Sequence, residues 1–221
     1  MTHQPSSRSL ILVPAVITLA VTLVRLIGEL NRWSPVLFNR EGGGGGALVG
    51  IVWLVPVFGV YFALKLDRAG LGPASRGRAL GLAVAGLATS IVLSGAVFRL
   101  QLSPVVLIVL ANLAIALGAV VAYRGWPALG TVDLAYGLAA RIPVAVLMLI
   151  AMNADWGTHY ELGPPGFPPM GVFAKWLCIG LLPQLVLWIG FTVIVGGLFG
   201  SLAVLVAGRR ATAPVPSGAA A

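Results

Sequence analysis

Charge is what this chain has least of. Asp, Glu, Lys and Arg together make up 9% of 221 residues, and only six residues are acidic. A soluble domain carries about 25% charged residues, so a globule with a hydrated polar shell is excluded. So is a disordered chain, which needs low hydrophobicity and high charge. Cysteine occurs once, at Cys178, which rules out an intramolecular disulfide and a multi-cysteine metal site. It lies in an apolar run and reads as a packing residue. The run Gly42 to Gly46 is not followed by Lys-Ser/Thr, so the phosphate-cradling pattern fails, and these glycines read as a flexible lead into the next helix. No other nucleotide, haem or metalloprotease motif occurs, and the chain carries the motifs of no named family. Neither a cofactor nor a metal is expected.

What is abundant is apolar sequence. Hydrophobic residues make up 59% of the chain and the mean hydropathy is +1.01. About 20 apolar residues in a helix cross a hydrocarbon core of about 30 Å. Six windows qualify: 10–27, 47–66, 79–98, 104–123, 131–154 and 183–207. They are continuously apolar rather than alternating, so transmembrane strands are excluded. The fold class that follows is all-α, a polytopic transmembrane bundle of six helices over 10–207. Residues 1–9 read as a short cytoplasmic N-terminus and 208–221 as a disordered cytoplasmic tail. The first run ends without a small-x-small cleavage site and is expected to be retained. The stretch 171–207 is about 55 Å long if helical, too long for one ordinary crossing. Pro183 is expected to kink or divide it, leaving 171–182 interfacial or protruding, with Lys175 and Trp176 as anchors.

The formal charge of +8 would suggest nucleic acid in a soluble protein. Here the cations flank apolar runs, which assigns them to orientation in the bilayer and excludes a nucleic-acid partner. With both ends inside, the inner segments hold Arg8, Lys65, Arg68, Arg76, Arg78, Arg124, Arg209 and Arg210. The outer segments hold at most Arg25, Arg32, Arg40, Arg99 and Lys175. The bias places both termini in the cytoplasm. The preference for Ala, Gly, Pro and Arg suggests a GC-rich bacterial genome, hence a multi-pass protein of the cell inner membrane.

Small residues mark helix contact faces in lipid. Gly86, Ser90 and Ser94 form such a face on the third helix, and Gly196 and Gly200 on the sixth. The expected use is packing within the monomer, with a homo-oligomer or a membrane-protein partner as the other use. Pro56 falls midway along the second window and would kink it. Asn112, near the middle of the fourth, reads as an interhelical hydrogen-bond donor.

Three groups of residues could carry function. Arg141 is intramembrane if the fifth helix starts at Thr131, and an unpaired arginine there costs at least about 2.5–3.5 kcal/mol. It then needs a partner or a wet cavity. Asp133 shares a similar helix face but lies about 12 Å away along the axis. Alternatively Pro143 opens the crossing and Arg141 is an interfacial anchor. Arg25 and Glu29 share one face at i,i+4 and can pair, as a hydrated helix end or with Glu29 facing the bundle as a proton or cation site. The outer loop holds Asp155, Trp156, His159, Tyr160 and Glu161. Its carboxylates and imidazole could serve an acid–base site or a metal, although the spacing is unspecific and an ordered cap over the bundle is the simpler role. The expected function is a non-catalytic membrane component: an accessory, assembly or sensor subunit. The alternative is a small-solute or ion permease using Arg141, Asn112 and Glu29. An outer-leaflet enzyme using Asp155, His159 and Glu161 is third.

Overall fold

A computed structural model describes residues 7–42 and 48–211. Every described element is helical: α1 (Ser7–Leu30), α2 (Leu54–Arg68), α3 (Arg76–Phe98), α4 (Pro104–Tyr123) and α5 (Pro127–Ala154). The last helix, α6, opens with Val172–Lys175, passes through π-helical Trp176–Leu181 and Pro183–Leu187, and ends in Trp188–Ala211. The expected all-helical membrane bundle is observed. Five of the six helices are long and apolar enough to cross a membrane.

The exception is α2. The second window was expected to be helical from residue 47, but among its described residues turns and bends run from Leu48 to Trp53 and the helix begins at Leu54. Its 15 residues span about 22 Å, short of a full hydrocarbon core. Pro56 explains the late start. Its ring would clash with the carbonyl four residues back in a continuing helix, whereas its missing N–H is harmless in a first turn. Pro56 therefore limits the start of α2 instead of kinking its middle.

The last apolar region also differs from expectation. Residues 171–182 are not a separate interfacial stretch, because Val172–Gly208 is one helical run. Pro183 neither divides nor ends it. The helix is under-wound around the proline: the Trp188 N–H bonds to the Pro183 carbonyl, five residues back. That leaves the Leu187 N–H without its usual partner, and Asn112 Oδ1 on α4 accepts it at 3.1 Å. Asn112 is thus an interhelical acceptor; its own amide donates back to Ile108 O within α4 at 2.8 Å. Both termini are tidier than expected. Helix begins at Ser7 and continues to Ala211, while the remainder of both tails and Gly43–Gly46 of the glycine run lie outside the described residues.

One end of the bundle gathers the start of α1 and the end of α6. Leu10, Leu66, Ala79, Trp126 and Val204 belong to one buried cluster. The Trp126 indole donates to Leu71 O at 2.9 Å, and Arg76 reaches Asp67 at 3.3 Å. The described ends of the chain therefore share a side. The loop after α5, expected from the charge bias to be outer, closes the opposite end.

Both small-residue faces are used within the chain. Gly86 and Ser90 of α3 lie against Gly118 of α4, with Ala122 beside Gly86. A Cβ on Gly59 of α2 would stand 2.5 Å from Gly196 Cα of α6, and one on Gly200 would stand 2.8 Å from the Ala63 side chain. The Gly59 contact is against backbone alone, so it cannot relax by a side-chain rotation. Gly59→Ala should cost about 1–3 kcal/mol, the usual range for overpacking. Gly81→Ala, where a Cβ meets nothing, should be neutral or slightly stabilising. Thermal unfolding of both variants in mild detergent checks the pair.

Candidate functional site

The two irregular stretches of backbone face each other across a cavity of about 600 Å³. Gly50, Ile51, Val52 and Trp53, just above α2, supply one wall; Ile179, Pro183, Gln184, Leu187 and Trp188 of α6 supply another. Non-helical backbone at membrane depth is tolerated where it is buried in protein or lines a cavity, and π-helical turns concentrate at functional sites. Ile108 of α4 and Val144 and Met148 of α5 add apolar surface. Thr22 and Arg25 come from α1, and His159, Tyr160, Leu162, Pro164 and Pro165 from the outer loop. Among the described residues neither Asp nor Glu lines the cavity.

Arg141 is the cation that α5 contributes to it. The α5 helix runs unbroken through Pro143, so Arg141 sits mid-helix and not at a helix start beside an interface. It is 4% exposed and lines the cavity. Its guanidinium lies over the Trp188 ring, 4.6 Å from the centroid, a cation–π contact. Among the described residues no carboxylate pairs with it. Asp133, the sequence candidate for that role, is 1% exposed elsewhere on α5. It faces Gly196 of α6, and neither of its carboxyl oxygens has a donor among the described residues. Next to Trp188 on the same wall, the Gln184 Oε1 is buried and accepts no hydrogen bond, while its Nε2 meets only Met148 Sδ at 3.5 Å.

Arg25 and Glu29 form the expected pair, with Arg25 Nε donating to Glu29 Oε1 at 2.8 Å. The site is not a hydrated helix end, because the Glu29 side chain is completely buried. The outer loop buries it. The backbone N–H of His159 donates to Glu29 Oε2 at 3.0 Å, and the His159 ring reaches Oε1 through Nδ1 at 2.6 Å. A carboxylate only accepts, so the ring carries its proton on Nδ1. Arg25 also donates to Asn39 O at 3.2 Å. One carboxylate thus ties α1 to the cap over the cavity. Burial holds the His159 pKa below its ordinary value, aided by nearby Arg25 and outweighing the pull of Glu29. Burial also raises the Tyr160 hydroxyl above its ordinary range.

The outer-loop residues do not converge on one site. Asp155 is exposed and closes α5 in the left-handed conformation, φ 50°. Glu161 turns inward and accepts the N–H groups of Trp156 at 3.0 Å and Thr158 at 2.7 Å. His159 is engaged by Glu29. No cluster of three metal-ligating side chains occurs among the described residues. Trp156 is half-buried, and Tyr160 is buried at the cavity edge. Gln184 and Trp188 were not among the sequence candidates. The signal for Gln184 was an amide directly after a proline inside an apolar run. No signal marked Trp188, whose partner is distant in sequence.

Comparison with known proteins finds no match: no family model, no curated protein and no solved structure matches this chain.

Two outcomes follow from the Glu29 clamp. Glu29→Ala strands a buried arginine and should destabilise the fold by about 3–5 kcal/mol. It should also expose the loop 155–170 to proteolysis, whereas Asp155→Ala should do neither. His159 resists protonation in the folded state, so the unfolded chain binds the extra proton. Its contribution is then fully present above about pH 6.5 and lost as pH falls below that value. The unfolding temperature should drop between pH 7 and pH 5, and His159→Gln should flatten that slope.

Proposed function

We propose that this is a non-catalytic, multi-pass protein of the bacterial inner membrane that binds a small anionic solute entering from the outer face, as a permease or a solute sensor does. The observation that carries the reading is Arg141: 4% exposed, mid-helix, without a carboxylate partner and lining a cavity of about 600 Å³. A buried guanidinium needs a counter-charge or water. Since no acid among the described residues reaches it, the cavity has to admit water or an anionic ligand. Pockets of this volume take drug-sized ligands.

The other residues expected to line a path have protein partners. Asn112 accepts the freed N–H of α6, and Glu29 holds the cap. Solute binding therefore falls to Arg141, with Gln184 and Tyr160 beside the same space. An acid–base role for the outer loop draws no support from Glu161, which is occupied by two backbone N–H groups. A cytoplasmic place for both termini is favoured by eight expected inner cations against at most five outer ones and by the start of α1 and the end of α6 lying on one side of the bundle.

Accessibility of the cavity tests this. Leu187→Cys in a Cys178→Ser background should react with membrane-impermeant methanethiosulfonates added to intact cells. The anionic reagent should be faster than the cationic one, and Arg141→Gln should narrow that preference. Labelling only after permeabilisation, or none, would overturn the reading.

A further inference from the structure

The cavity combines one cation with a largely apolar lining. Arg141 lies against Trp188, its guanidinium without a carboxylate among the described residues. The same space is bounded by Ile108, Val144, Met148 and Ile179, and at the cap by Arg25, His159 and Tyr160. We infer that its occupant is an amphiphile with one anionic head, a carboxylate or phosphate, seated at Arg141, and an apolar body lying against Ile108, Val144, Met148 and Ile179. This rests on the cavity being open to the outer face.

Each part of that chemistry has its own reason. The head bears one anionic group because one guanidinium lacks a protein acceptor; Arg25, the other cation of the lining, is committed to Glu29 and Asn39 O. A cationic head is disfavoured by Arg141, with no acid among the described lining residues to receive it. A planar guanidinium takes a carboxylate or phosphate through two parallel hydrogen bonds, and its face is already supported by Trp188. A bare inorganic anion would leave the four apolar side chains against water. An apolar chain removes that surface from water, at about 25 cal/mol per Å².

The test uses the cysteine at position 187 in proteoliposomes. Labelling by the impermeant reagent reads whether the cavity is open, and protection reads what fills it. In vesicles of phosphatidylcholine alone, dodecanoate below its micellar concentration should slow labelling at least tenfold. Butyrate, with the head and little tail, and dodecyltrimethylammonium, with the tail and the opposite charge, should not. Arg141→Gln should abolish the protection. If the source is the leaflet itself, phosphatidylglycerol in the vesicle should protect without added acid, again only with Arg141 in place. Equal protection by butyrate or by the ammonium, protection that survives Arg141→Gln, or no protection by dodecanoate or phosphatidylglycerol overturns the inference while leaving an open cavity standing. Absence of labelling brings down the cavity reading instead. Ile51→Cys, on the facing wall, repeats the measurement should the variant at position 187 not fold.

Discussion

A backbone polar group inside a hydrocarbon layer has no water to turn to, and leaving it bare costs several kcal/mol. This chain interrupts regular helix twice at depth, before α2 and around Pro183 of α6, and the rest of the architecture is organised around satisfying those breaks. The α6 break is settled by a single side chain: Asn112 accepts the Leu187 N–H that the π-turn releases. The α2 break is settled from above, where Leu48 and Val49 donate to the carbonyls of Val36 and Leu37 at 3.3 and 3.1 Å. Because both breaks face the same space, solving them creates a cavity. A full-length second helix would occupy part of that volume.

The cap follows the same logic with charge in place of backbone. Glu29 sits in the last turn of α1, where a carboxylate gains nothing from the helix dipole. Its burial is compensated by an arginine one turn earlier, a ring N–H and a backbone N–H. Two of those three donors come from the loop after α5, so the loop is held at the mouth of the cavity by charge-assisted hydrogen bonds. The Pro-Pro stretch that follows, 164–165, then forms part of the cavity wall, where its stiffness is useful.

Much of this was legible in the residues. Hydropathy fixed the class, the helix count and the limits of α3 and α4 within a few residues, because in lipid a long apolar run has few alternatives to a helix. The i,i+4 spacing of Arg25 and Glu29 showed that they could meet. What hydropathy could not show is where a helix inside an apolar run fails to begin. The residues 48–53 are as oily as those of α2, and only Pro56 signals the late start. Nor could spacing show that His159 leaves Asp155 and Glu161 to reach Glu29, 130 positions earlier. Glu161 looked like a metal ligand because a carboxylate that caps two backbone N–H groups has the same composition as one that binds a cation.

Asp133 and Arg141 show why burial alone does not identify a site. Both lie on α5, both are nearly inaccessible, and neither has a charged partner among the described residues. Their surroundings differ. Asp133 is pressed against the glycine face of α6, with Gly196 directly opposite, and it is not part of the cavity lining. Arg141 lines an open volume. The chemistry of the two groups matches that difference. A carboxyl group can carry a proton and be buried neutral, whereas a guanidinium keeps its charge under any condition a protein survives. An acid can therefore be sealed within a helix seam, but an arginine at the same depth demands space for water or for an anion. The late start of α2 and the under-wound turn of α6 provide that space where Arg141 lies.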